Sequence, residues 1–200
     1  VKATAQEFFY EETPQLGNLT KVINFGEVDP AAHTDIGTDS RTIETQYLNN
    51  TTGTNHLIGL PKQTIVKNHF GSEMRKSWFW YDNNPNLSDL PTRGLLTKKE
   101  DWNNNPQGHA NNPVNRYSYD VWGNLRTTTD ARNKVTTITY DPTYNLFPLT
   151  TTNAMNQAVT SKYYGVNGEP LDDGNGLKGL WGQLKETREP NNQTAKKSYD

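Results

Sequence analysis

Four histidines, His33, His56, His69 and His109, are the first candidates for metal or proton chemistry. A metal site needs ligands grouped at short or helical spacing. None of the four has an i, i+4 partner or a cluster of acids beside it, so all four are read as loop or strand-face histidines. The stretch LDDGNGLKG, residues 171–179, has the acids and glycines of a calcium loop. It lacks the alternating ligands and closing Glu of an EF-hand, and the spacing and Lys-Ser/Thr ending of a phosphate loop. It reads as a surface turn between two strands, with ion binding at Asp172–Gly176 left open. Glu11-Glu12 and Asp172-Asp173 are adjacent carboxylates. On a strand, neighbours face opposite ways, which makes them poor acid/base partners. No Gly-x-Ser-x-Gly elbow accompanies the serines. No catalytic, cofactor-binding or metal-binding residue is therefore assigned, and the chain is read as a non-enzyme.

SWFWYDNN, residues 77–84, concentrates aromatics. In a strand Trp78 and Trp80 face one way, Phe79 and Tyr81 the other. Two readings stand: one pair forms an exposed sugar-stacking platform, or both faces are covered by neighbouring strands or an inserted loop.

The elements that would carry these residues follow from composition. Of 200 residues, 32% are hydrophobic and only 21% charged, with a net charge of −2. Mean hydropathy is −0.93. The polarity comes from Thr, Asn, Gln and Ser. Disordered chains combine low hydrophobicity with high net charge and few aromatics; here 10% of residues are aromatic. Thin, Thr- and Tyr-rich β-sheet is the better match. A pI near 6.1 gives no electrostatic case for nucleic acid or an anionic membrane. No apolar run of about 18 residues is present, so no membrane insertion by a helix is expected. With no Cys there are no disulfides or thiolate metal sites. The N-terminus VKATAQEFFYEE lacks the basic start and apolar run of a signal peptide, and both ends are read as cuts in a longer chain.

Internal repetition decides the fold. WGNLRTTTDARNKVTTITYD (122–141) aligns without a gap on WGQLKETREPNNQTAKKSYD (181–200). Gly123 falls on Gly182, Leu125 on Leu184, Asn133 on Asn192, Tyr140 on Tyr199 and Asp141 on Asp200. Between them, residues 150–164 repeat residues 127–141, with Asn156 on Asn133 and Tyr163 on Tyr140. Looser copies run from Gly94 to Tyr119-Asp120, from Gly59 to Tyr81-Asp82, and from Gly17 towards Tyr47; FFYEE (8–12) looks like the tail of another. About six units result, irregular and longer over 1–120, regular and short over 121–200.

Each unit reads as bend, strand, turn, strand, clamp. LRTTT and VTTITY are β-branched and alternating, hence strands. Asp130 suits the first position of a type I turn, and Asn133 tolerates the left-handed conformation that closes a short hairpin loop. Asn156 and Asn192 recur there, and Gly71 serves the longer copy. Gly123 and Gly182 supply the bend between hairpins. Tyr140 and its equivalents pack between hairpins with hydroxyls towards water. Asp141 bonds backbone N–H groups of the next turn. Trp122 and Trp181 recur at the bend, where packing accounts for them. A lone hairpin is marginal, but stacked hairpins support one another. The expected fold is all-β: tandem antiparallel β-hairpin repeats in a curved sheet of about a dozen strands, almost without helix.

The Tyr-Asp closings and Gly-[Asn/Gln]-Leu openings resemble the YD repeats of Rhs proteins, teneurins and the B-C components of insecticidal Tc toxins. Residues 59–102 are similar to the repeat region of bacterial Tc and Rhs toxins in particular. Two features depart from the family pattern: Tyr163 is followed by Tyr164 instead of Asp, and the turn residue is Asn where the family often has Gly. The resemblance implies one panel of a spiral β-shell, or cocoon, that encloses a C-terminal toxic polypeptide. Its partners would be the rest of its own longer polypeptide, the enclosed toxin and other toxin-complex subunits, with no cofactor. Its location would be a secreted or cell-surface bacterial protein. The self-cleaving core of such proteins has no counterpart in these residues. The competing reading is a cell-surface β-repeat module that binds carbohydrate or protein.

Overall fold

The computed structural model describes residues 3–12, 16–104 and 109–199. Among them are fourteen β-strands and no helix, so the chain is all-β. It divides into two compact units, Val1–Asn115 and Arg116–Asp200. The first contains β1 (Ala3–Tyr10), β2 (Leu19–Asp29), β3 (Thr34–Asp35), β4 (Arg41–Asn50), β5 (Leu57–Lys67), β6 (Glu73–Tyr81) and β7 (Leu96–Asp101). They pair antiparallel in the order β1-β2-β4-β5-β6-β7, with the short β3 also on β2. The second unit takes most of β8 (Val114–Tyr119), then β9 (Leu125–Thr129), β10 (Val135–Tyr140), β11 (Pro148–Thr152), β12 (Ala158–Tyr163), β13 (Leu184–Arg188) and β14 (Thr194–Lys196). Here too each strand pairs antiparallel with its sequence neighbour.

One turn geometry recurs. Asn133 N–H donates to the Asp130 carbonyl at 2.9 Å and Asp130 N–H to the Lys134 carbonyl at 3.0 Å. The Asp130 carboxylate accepts from Arg132 N–H at 2.9 Å and Lys134 N–H at 2.8 Å. Asn133 sits at φ 59°. This is a type I turn followed by a left-handed residue, a favoured three-residue hairpin loop. Asn153–Asn156, Glu189–Asn192 and Asn68–Gly71 have the same backbone bonds. So does Asp120–Gly123, at the other end of the strands. The bend between β8 and β9 is therefore built like the turns, whereas the bend at Gly182 closes through its N–H to the Tyr164 carbonyl.

A second regularity is a register shift. Each of Tyr10, Tyr47, Tyr81, Tyr119, Tyr140 and Tyr163 follows a β-bulge or irregularity in its pairing with the next strand. The extra residue lies on that next strand. Tyr140 pairs with Pro148 while Thr139 pairs with Thr150, for example. The residues opposite these tyrosines are Leu19, Pro61, Leu96, Leu125, Pro148 and Leu184. Four of the six are leucines, and Leu19, Leu125 and Leu184 close the Gly-[Asn/Gln]-Leu openings.

Burial is shallow. All eleven residues of β2 and all eleven of β5 are half-buried, as in a sheet one layer thick that packs well on neither face. The buried apolar side chains are few: Leu48, Trp78, Trp80, Tyr81 and Pro91 in the first unit, and Phe147, Tyr164 and Val166 in the second. At one margin of the first unit, β1 pairs with β2 only among the described residues, and Phe8, Phe9 and Tyr10 are exposed.

Two outcomes follow from these turns and edges. Asn133→Gly leaves stability nearly unchanged, whereas Asn133→Val costs about 1–2 kcal/mol, because a β-branched residue strains at positive φ; denaturant unfolding checks both. The 200-residue chain expressed alone associates through β1, and Phe9→Lys, a charge on the edge strand, shifts it towards monomer in sedimentation velocity.

Candidate functional site

The recurring tyrosines form one site type. Each bulge interrupts the ladder and leaves a strand-end carbonyl to be satisfied. The tyrosine of the following unit does this. Tyr140 Oη donates to the Leu125 carbonyl at 3.2 Å, Tyr163 Oη to Pro148 at 3.1 Å, and Tyr199 Oη to Leu184 at 3.0 Å. In the first unit Tyr47 Oη donates to Leu19 and Tyr81 Oη to Pro61, at 2.8 and 2.9 Å. The sequence expectation turned these hydroxyls towards water. They bond backbone instead, since a carbonyl at a bulge is a better-placed acceptor. Burial pushes the Tyr81 phenol up to about 12. Gly123, Leu125 and Tyr119 lie together at the β8–β9 junction, where Tyr119 pairs with Leu125.

The aspartates do complementary work. Asp141 is fully buried, and its carboxylate accepts from the N–H groups of Tyr144, Leu146 and Phe147 at 2.6, 3.0 and 2.9 Å. Asp120 accepts from Trp122 and Asn124 N–H, both at 2.9 Å. Asp82 gathers four, from Thr92, Arg93, Gly94 and Leu95. Burial alone would raise these carboxyls, but the backbone N–H bonds outweigh it and hold all three below the ordinary value. Asp200 lies outside the described residues. Asn192 (φ 66°) closes the last hairpin turn, and Gly182 (φ 82°) closes a bend in which a Cβ would meet the Phe147 ring at 3.1 Å.

Where Tyr164 replaces the aspartate, a different solution appears. Its ring is fully buried, Oη donates to the Lys197 carbonyl at 2.6 Å, and Tyr199 packs on it edge-on at 6.1 Å. The long segment to Gly182 wraps this ring and Val166, with backbone bonds Tyr164 N–H to Gln183 and Gly182 N–H to Tyr164. Inside the segment lies the acidic loop. Asp172 accepts from Gly174 N–H, and Asp173 from Asn175 and Leu177 N–H. These carboxylates cap their own loop.

The remaining candidates are placed as follows. Trp78 and Trp80 are buried, 7% and 9% exposed. His109 lies 4.5 Å from the Trp78 ring, and Lys98 Nζ stands 3.3 Å over Trp80. Of the two readings, the covered one is what the structure contains. His109 also contacts the buried Glu100, which accepts from Asn112 Nδ2 at 2.9 Å; nothing in the sequence pointed to this cluster. His69 Nδ1 faces Ser40 Oγ at 2.8 Å, and His33 lies in the turn after β2. Trp181 packs edge-on against Tyr144 at 5.1 Å and Phe147 at 5.2 Å. Packing does not account for Trp122, which is 69% exposed: it sits at the tip of its turn, where none of the described residues covers the ring.

Fold and sites together define an all-β protein of tandem hairpin repeats whose recurring residues secure strand junctions. No family model matches the sequence, and no curated protein matches it. Among solved structures, the crystal structure of TcdB2-TccC3-Cdc42 is similar at TM-score 0.35 and 15% identity, over 99% of this chain and 10% of that chain.

Three outcomes test the junctions. Tyr140→Phe removes one hydroxyl–carbonyl bond and costs about 1 kcal/mol in denaturant unfolding. Asp141→Ala leaves three N–H groups, one buried and two partly buried, without their acceptor and costs about 2–3 kcal/mol. Asp82, Asp120 and Asp141 have depressed folded-state values, so the stability they supply is present above the unfolded aspartate value of about 3.9 and is lost as pH falls through the lower folded values. The denaturant midpoint therefore holds level at mildly acid pH and drops below about pH 4, less steeply in Asp141→Asn.

Proposed function

We propose that this chain is a structural wall segment of a large bacterial toxin of the Rhs/Tc type. In that role it is one panel of a spiral β-shell that encapsulates a C-terminal toxic polypeptide before delivery. The observation that carries the reading is the junction just described. Six of the register shifts carry a tyrosine, and at Leu19, Pro61, Leu125, Pro148 and Leu184 a tyrosine hydroxyl satisfies the strand-end carbonyl without a hydrophobic core. A sheet stabilised along its own plane can extend by adding hairpins. It also leaves polar, half-buried faces that would not hold an enclosed chain by hydrophobic adhesion. In this reading the segment has no catalytic role. Its partners are the remainder of its polypeptide, the enclosed toxin and other toxin-complex subunits, and the parent protein is secreted or at the bacterial surface.

The alternative, a surface module that binds carbohydrate or protein, loses its aromatic platform at Trp78 and Trp80, which are buried.

The test is limited proteolysis of the full-length parent protein, with mass spectrometry of the surviving fragments. A C-terminal polypeptide that stays bound and protease-protected, together with this segment, is the expected result. Prompt digestion of everything C-terminal to the repeats overturns the shell reading.

A further inference from the structure

We infer that the face of the first unit that carries Phe79 binds a small organic carboxylate. A cavity of about 260 Å³ lies there, lined by Ile43, Val66, Arg75, Ser77, Phe79 and Lys99 among others. That volume falls just below the roughly 300 Å³ at which sites for drug-sized ligands begin, so it suits a ligand of one-ring size. The register puts this lining on one face of the sheet. Ile43 pairs with Val66, and Val66 with Arg75. Thr64 pairs with Ser77, and Phe79 with Lys99. Directly paired residues share a face, as do alternate residues along a strand. Trp78 and Trp80 take the other face, against His109 and Lys98. Ile43, Val66 and Phe79 are half-buried.

The charges on this face select the ligand. Asp101, paired with Ser77 in the register, stands on it too, and its carboxylate is already filled. Its Oδ1 accepts from Ser77 Oγ at 2.5 Å and its Oδ2 from Lys99 Nζ at 2.8 Å. Burial alone would raise this carboxyl, but the Lys99 and Ser77 bonds outweigh it and hold it below the ordinary value. Asp101 is thus ionised near neutral pH and compensates Lys99. Arg75 is the surplus cation. Its Nη2 stops 3.9 Å from Asp101 Oδ1, beyond hydrogen-bond length. Among the described residues its guanidinium donates no hydrogen bond, and its side chain is 67% exposed. Arg41, two residues from Ile43 along β4, adds a further positive charge to the same face. An anion is therefore favoured, and the planar fork of Arg75 matches the two oxygens of a carboxylate. Val66 stands directly opposite Arg75, with Ile43 beyond it. These side chains and the Phe79 ring favour an anion with an apolar body over a bare inorganic one. The inference is independent of the shell reading, because either a wall panel or a surface module can carry it.

The test is titration of the full chain with phenylacetate, phenylacetamide and acetate, read by saturation-transfer NMR on the small molecule. Phenylacetate is expected to bind with millimolar Kd, and the amide and acetate each about tenfold more weakly or not at all. Arg75→Gln, whose fold is checked by circular dichroism, should weaken phenylacetate about tenfold. Arg75→Lys, which keeps the charge and loses the fork, should weaken it less. Lys21→Gln removes the same charge from the opposite face, where Lys21 pairs with Glu44, and should leave binding unchanged. The inference is overturned if phenylacetate does not bind at about 10 mM. It is also overturned if phenylacetamide or acetate binds as tightly as phenylacetate, or if Lys21→Gln weakens binding as much as Arg75→Gln, which would mark attraction to net charge alone.

Discussion

The bulge at each strand junction governs the rest of this structure. A sheet only one layer thick cannot hide a broken ladder under a core, so any carbonyl freed by a register shift must find a partner within the sheet. The tyrosine hydroxyl of the next hairpin is that partner. Without the tyrosine the bulge would leave a partly buried polar atom unpaired, a loss of about 1–3 kcal/mol. The aspartate after the tyrosine extends the same logic by one residue, because its carboxylate collects the N–H groups that the reversal of the chain leaves pointing inwards.

This arrangement explains why so polar a chain folds. Its buried apolar side chains are few, and hydrophobic burial is correspondingly small. Stability is distributed over local devices instead: capped turns at both ends of the strands, tyrosine-sealed bulges, and ion pairs such as Lys185–Glu169 at 2.8 Å, where the bond raises the lysine and lowers the glutamate. In the second unit, the place that breaks the Tyr-Asp rule shows an alternative. Tyr164 trades the carboxylate for a buried ring, and a long loop is needed to bury it.

Much of this was legible in the residues themselves. Threonine-rich alternation, Asp and Asn at fixed offsets, and the spacing of Gly, Leu, Tyr and Asp specify strands, turns and their order, because each depends on local backbone preference. The Asn133, Asn156 and Asn192 turns follow from the tolerance of Asn for positive φ, which acts within four residues. What was not legible was the destination of the tyrosine hydroxyl, since it depends on which residue of the next strand is left over. Covering of Trp78 and Trp80 was one of two readings open from the sequence, but the groups that cover them, His109 and Lys98, were not legible.

The sequence by itself therefore determined an all-β chain of hairpins and the places where it turns. Only the tertiary structure decided the register between strands. That register creates the bulges, sends Tyr47, Tyr81, Tyr140, Tyr163 and Tyr199 to their carbonyls, and brings Arg75 and Lys99 to the same face. The physical reason is that turn chemistry is a property of four consecutive residues, whereas register is a balance between side chains on two strands, and one extra residue on either strand re-aims everything beyond it.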